Sequence, residues 1–164
     1  MRDDRSDDAS KPSRPIETLG EIGLSHFPPY LMNRIMGRYN ADLQAAVRPD
    51  GLTTVKLRTL AVLSIVPGLT VNELAVYAVS EPSTLSRTLE GMEAAGLVRR
   101  EGRESDGRVR EIFLTEKGRQ EFDRCWPRMH EGYARMFEGI PEPERLAFVS
   151  VLKRILDNIR QHDF

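Results

Sequence analysis

The apolar residues of this chain change period at Gly96, and that change limits the possible folds more than any other feature. Before it, Leu85, Leu89 and Met92 recur at the spacing of one helical face. After it, residues 97–103 and 109–114 are short stretches of strand character. They flank Glu104-Ser105-Asp106-Gly107-Arg108, whose Asp-Gly pair signals a hairpin turn. Gly96 stands where a left-handed residue closes a helix, and it lets Leu97 fold back on Met92 in a Schellman arrangement. Two further signals lie upstream. Thr70-Val71-Asn72-Glu73 is a capping box that opens a short helix over 71–79. Ser80 before Glu81-Pro82 reads as the cap of the next helix, with proline in its first turn.

Two short helices joined by a tight turn and followed at once by a β-ribbon form the plan of a winged helix-turn-helix. The remainder is helical, so the expected class is mainly α. Leu24, Phe27, Leu31, Ile35, Tyr39, Leu43 and Val47 make one stripe of a helix over about 27–47, stopped by Pro49-Asp50-Gly51. Thr53 or Thr54 caps the helix of Leu57, Leu60, Ala61 and Leu63, which Pro67-Gly68 ends. Thr115 caps another, with Phe122, Trp126, Met129, Tyr133 and Met136/Phe137 on one face and a kink or break expected at Pro127. A last helix from near Pro143 is expected to bury Phe148, Leu152, Ile155 and Ile159.

The expected organisation follows: a disordered tail over 1–15, an N-terminal dimerisation helix within 16–50, the winged module over 51–118, and C-terminal dimerisation helices over 119–164. The tail carries four basic and four acidic residues and almost nothing apolar, too little to offset its ordering entropy. The winged module is complete by about residue 115, so the flanking apolar stripes need another surface, and a two-fold partner supplies one.

Composition narrows the function. With 40% hydrophobic and 30% charged residues the 164-residue chain can bury a core. The longest apolar run, residues 60–66, is short and interrupted by Ser64, and the amino terminus has no apolar signal segment, which argues against a membrane role or secretion and for the cytoplasm. One cysteine, Cys125, excludes an internal disulfide or a multi-thiolate zinc site. Cys125 and His130 are separated by about 140° around one helix, a poor nucleophile and base pair. No enzyme, metal or cofactor is expected. Net charge is −1, neutral on the question of nucleic acid, but 97–110 holds Arg99, Arg100, Arg103, Arg108 and Arg110 against Glu101, Glu104 and Asp106.

On the second short helix, Ser83 and Arg87 point away from Leu85, with Thr84 and Ser86 flanking. Small side chains let a helix sink into the major groove, hydroxyls bond phosphates or base edges, and arginine pairs with guanine. A plain solvated face would look similar, and Glu90 on the same side favours that alternative; the ribbon that follows favours DNA. At the ribbon tip, Asp106 can orient the loop or an arginine, while Arg108 reaches for a narrow minor groove, with Arg110 beside it. The expected contacts to double-stranded DNA are therefore Ser83, Thr84, Ser86, Arg87, Asp106, Arg108 and Arg110.

These residues resemble the MarR family of bacterial transcription regulators over about 27–162. The segment Ser83-Thr84-Leu85-Ser86-Arg87-Thr88-Leu89-Glu90 running to Gly96-Leu97-Val98 is similar to the family's recognition helix. Asp106-Gly107-Arg108 matches its Asp-x-Arg wing tip, and Leu114-Thr115-Glu116-Lys117-Gly118 its Leu-Thr-x-x-Gly opening. Glu104-Ser105 stands where the family's wing often has proline two before the aspartate. The resemblance implies a homodimer on a pseudo-palindromic operator, in most cases a repressor, released by a small, often aromatic or anionic effector. His26, Arg34, Arg38 and Tyr39 are placed to face such a pocket, although solvated-face and dimer-contact roles fit them equally and no ligand residue is assigned. The rival readings are a protein-binding adaptor, which the near-neutral module allows, a Cys125 redox or metal sensor, and a Cys125 enzyme. A lone cysteine on a helix is more often a packed small side chain.

Overall fold

The computed structural model describes residues 17–103 and 106–162, with only the backbone of Asp106 and Gly107. The tail over 1–15 and the Glu104-Ser105 pair lie outside the described residues. The chain divides into two units, Met1–Arg38 and Tyr39–Phe164, and each is described by itself.

In the first unit, Thr18 and Glu21 form a capping box that opens the single-turn α1, Leu19–Ile22. Gly23 (φ 73°) ends it, and a 3-10 turn over Leu24–His26 precedes α2, Pro28–Val47. The apolar stripe alone does not reveal α1, because one turn is too short to show a period. His26 thus precedes the long helix rather than sitting on it, with its Nδ1 3.1 Å from Ser25 Oγ. Arg34 donates to Tyr30 Oη at 3.0 Å and lies over the Tyr30 ring.

The second unit takes up the end of α2, a 3-10 turn over Arg48–Asp50 closed by left-handed Gly51, and α3, Thr54–Ile65, capped by Thr53. Then come α4, Val71–Tyr77, α5, Pro82–Ala94, strands β1, Val98–Arg103, and β2, Asp106–Leu114, and the long helices α6, Glu116–Met136, and α7, Glu142–Ile159. This is the winged helix-turn-helix expected from the sequence.

One apolar cluster joins the helix-turn-helix to the wing. Leu60 and Leu63 of α3, Leu74 of α4, Leu85, Leu89 and Met92 of α5, Val98 of β1 and Ile112 of β2 are all buried. Each contributes about 1.5–3 kcal/mol by leaving water. A second cluster, Leu43, Val47, Leu52, Leu57 and Cys125, packs the end of α2 against α3 and α6. Polar braces complete it. Gln44 accepts from the amide and hydroxyl of Thr54, and Arg128 donates to the Ala46 carbonyl at 3.0 Å and pairs with Asp50.

Three expectations are corrected. First, of the kink or break expected at Pro127 the break is absent, and α6 is one helix from Glu116 to Met136. The ring removes one internal hydrogen bond, but buried Cys125 on one side and Arg128 on the other fasten both halves to the same surface. Second, the hairpin turn is not at Asp106-Gly107: Arg103 pairs with Asp106, so both residues already belong to β2. Between the pairs Gly102↔Arg110 and Arg103↔Asp106 the register shifts, so the extra residues are absorbed by an irregularity in β2. Third, α7 buries none of its residues within one chain; Phe148 is 43% and Ile159 69% exposed, and Leu152 and Ile155 are only half-buried.

Gly118 is the most tightly enclosed of the described glycines in the second unit. A Cβ there would overlap the Leu97 carbonyl oxygen and stand 3.1 Å from Leu114 Cδ2. Both neighbours are fixed, one as backbone and the other in the wing. Gly118→Ala is therefore expected to lower stability by about 1–3 kcal/mol or more, measured by urea denaturation. Unchanged stability would show that α6 can back away from the wing.

Candidate nucleic-acid interface

The turn between α4 and α5 is built from the closing hydrogen bonds of α4. At its start, Thr70 and Glu73 satisfy each other's amides, and these bonds hold the Glu73 carboxyl below the ordinary carboxylate range. At its end, the amide of Ser80 donates to the Ala75 carbonyl at 3.0 Å and that of Val79 to Val76 at 3.2 Å. This is a Schellman motif, and it places Val79 in the left-handed region at φ 51°. Ser80 is consumed by that closure and does not cap the next helix as expected. The N-cap of α5 is Glu81, without a side-chain bond, followed by Pro82 whose ring presets the first turn.

The first turns of α5 bring Ser83, Thr84 and Arg87 to the surface, while Ser86 is half-buried on the flank. Leu85, Leu89 and Met92 hold the opposite face in the core, so the outward row is fixed in direction. Thr88 Oγ1 donates back to the Thr84 carbonyl at 2.9 Å. Arg87 has no ion pair among the described residues, which leaves its five N–H donors available.

The far end of α5 is fastened to the wing and α6 together. Gly96 (φ 71°) closes the expected Schellman motif, with the Leu97 amide donating to Met92 at 2.9 Å. Thr115 Oγ1 donates to the Gly96 carbonyl at 2.6 Å, and Lys117 Nζ to the Ala95 carbonyl at 2.8 Å, a cation where the helix dipole is negative. Leu69 adds an isolated bridge to β2: its carbonyl accepts from the Ile112 amide at 2.8 Å, and the Gly68 amide donates back to Ile112 at 3.0 Å. The sequence hid this single-residue addition to the sheet.

The arginine excess of 97–110 divides in two. Arg99 bonds Glu101 at 2.6 Å and the Leu114 carbonyl and lies over the Phe113 ring; Arg100 faces Glu93 of α5 at 3.3 Å; Arg103 bonds Glu111 across the ladder at 2.6 Å. These three brace the wing. Arg108 and Arg110 are exposed on β2, with Arg110 paired to Gly102 across the ladder. The Asp106 carboxylate lies outside the described side chains. The expected residues Ser83, Thr84, Ser86 and Arg87 thus share the opening of α5, while Arg108 and Arg110 share one strand of the wing.

Cys125 is fully buried in the second cluster, and burial, with Glu121 adding to it, pushes its thiol up. His130 stacks instead between Trp126 and Tyr133, at 5.8 and 6.0 Å between ring centres. Among the described residues no group of three or more His, Cys, Asp or Glu side chains could hold a metal ion, and no helix is long and apolar enough to cross a membrane. A buried, protonated thiol reacts slowly. Native protein is expected to consume an aromatic disulfide reagent far more slowly than urea-unfolded protein. Equal rates in the two states would restore Cys125 as a reactive group.

Comparison with known proteins agrees with this geometry. A family model described as the MarR family matches residues 50–109. A MarR-family transcriptional regulator from Silicibacter pomeroyi is 49% identical, and its crystal structure superposes over 90% of this chain and 100% of its own with a TM-score of 0.85. The HTH-type transcriptional repressor Rv2887 of Mycobacterium tuberculosis is 31% identical over 82% of this chain and 98% of its own. It has been crystallised with salicylic acid (TM-score 0.63). The repressor CouR of Rhodococcus jostii, in complex with p-coumaroyl-CoA, is 28% identical over 81% of this chain and 94% of its own, at a TM-score of 0.72. CouR has also been solved on a 23-mer DNA duplex.

Proposed function

The chain belongs to the MarR family of transcription regulators, and from that premise we propose that it is a DNA-binding repressor, not an enzyme. It works in the cytoplasm as a homodimer on a pseudo-palindromic operator and is released by a small-molecule effector. The observation that carries the reading is the outward row Ser83, Thr84 and Arg87 on a helix whose far end is locked to a wing bearing exposed Arg108 and Arg110. Such a helix enters the major groove, and the wing reaches the adjacent minor groove. Relatives named as repressors, one of them solved on a DNA duplex, support it.

Residues 51–118 form the DNA-binding module in this reading, with 16–50 and 119–164 given to dimerisation. The apolar side chains that α7 leaves in water favour the second part. Leu156 is 60% and Ile159 69% exposed, on a helix that also exposes Leu146, Val149 and Val151. A contiguous apolar face of this kind marks a protein contact. Leu156 is mostly exposed in a single chain, so Leu156→Glu is expected to leave helix content intact while shifting the protein toward an 18.6 kDa species in sedimentation. A monomeric parent protein would sink the dimer reading.

For the effector, the aromatic acid and aromatic acyl thioester of the relatives point to a small aromatic, anionic class. Arg87 and Arg108 are expected to fail differently. Where Arg87 reads guanine, Arg87→Ala loses about 1–3 kcal/mol and relaxes preference at one half-site position. Arg108→Ala weakens all sequences alike and flattens the salt dependence. Titration against a selected operator and a scrambled duplex at several salt concentrations checks both. Wild-type binding by each mutant would leave the protein-binding adaptor as the better account.

A further inference from the structure

We infer that Val79 is a specificity-determining residue that makes an apolar contact with DNA at the edge of the major groove, to a thymine methyl; this rests on the reading of α5 as the groove-entering helix. Among the described residues three helix ends, those at Gly51, Val79 and Gly96, close by the same Schellman bonds, and they differ in the residue at the left-handed position. Gly96 fills it at the end of α5, and Val79 (φ 51°) at the end of α4. Glycine takes that conformation freely, whereas a β-branched residue is strained in it. Burial does not compensate, because Val79 is 76% exposed. Folding alone would therefore favour glycine or asparagine, and the isopropyl group has no evident role inside the chain.

Its position gives it one outside. Val79 precedes Pro82, the first residue of α5, by three residues, so its Cα lies within about 10 Å of the helix start. The major groove is about 12 Å wide. When Ser83 and Thr84 enter the groove, Val79 stands at its rim, with exposed Val76 one turn behind it on α4. Valine has no polar group to bond a phosphate or a base edge. The one feature of the groove wall that matches its methyl groups is the C5 methyl of thymine.

The test uses a duplex selected from a randomised pool by the parent protein, and the same duplex with deoxyuridine replacing thymidine in the half-sites. Removing one buried methyl contact costs about fourfold in affinity, so on the order of tenfold over two half-sites. The parent is expected to lose that much on the uracil duplex. Val79→Gly is expected to bind the thymine duplex on the order of tenfold more weakly, to lose nothing further on uracil, and to melt no lower than the parent. Val79→Asn, which tolerates the left-handed backbone while removing the methyls, is expected to behave the same way and separates lost contact from added turn flexibility.

Three results overturn the inference. Parent-like affinity of Val79→Gly on both duplexes removes the contact but leaves the DNA-binding reading standing. A lower melting temperature, or a shift to monomer, in both variants assigns the side chain to the fold or to a partner subunit. Failure of the parent to enrich or bind any duplex at low salt removes the DNA-binding reading itself, and the Val79 contact with it.

Discussion

Leu97 bonds or packs in three directions, and the orientation of α5 depends on it. Its amide closes α5 through Met92, its carbonyl accepts from the Thr115 amide at 3.1 Å, and its side chain is buried in the wing-side core. The same carbonyl lies so close to Gly118 that a Cβ there would overlap it. Thr115 and Lys117 reach back to the Gly96 and Ala95 carbonyls, the last acceptors of the helix. The carboxyl end of α5, the root of the wing and the amino end of α6 are therefore one rigid joint. A helix held only by its apolar face could roll by tens of degrees; one anchored at its end to a backbone junction presents the same row of side chains each time.

Electrostatics follows the same division between bracing and display. Near-neutral net charge would be a poor footprint for a nucleic-acid binder if all arginines counted equally. They do not. Arg99, Arg100 and Arg103 are tied to carboxylates from three different places, Glu101, Glu93 and Glu111, and stiffen the ribbon. Arg87, Arg108 and Arg110 are exposed at the start of α5 and on the wing. Binding through a few placed arginines is less salt-dependent than binding by a basic surface, and it leaves more of the discrimination to contacts with base edges and methyls.

Much of this was legible in the sequence because the signals were local. Thr70 with Glu73, Gly96 before Leu97, and Thr115 before Gly118 are short-range patterns with one physical meaning each, and all three stand in the structure. What escaped depends on partners distant in sequence or on conformations that residue type disfavours. Nothing about valine announces a left-handed residue at position 79, so the sequence points to a cap at Ser80 where the structure has a Schellman turn. Asp106-Gly107 belongs to β2 because the register is set by the Val98↔Leu114 end, where the core is, and not by the turn chemistry. Pro127 reads as a breaker until Arg128 and Cys125 are seen holding both sides. The stripe on α7 was correctly apolar, but one chain alone leaves it uncovered.

The central claim is that α5 and the wing read adjacent grooves of one duplex, and chemical protection measures this most directly. Dimethyl sulfate modifies guanine N7 in the major groove and adenine N3 in the minor groove. On a selected duplex, guanine protection is expected in two major-groove segments about 10 base pairs apart, with adenine protection in the minor groove beside each. Protection in one groove only, or a uniform pattern without half-sites, would contradict the account.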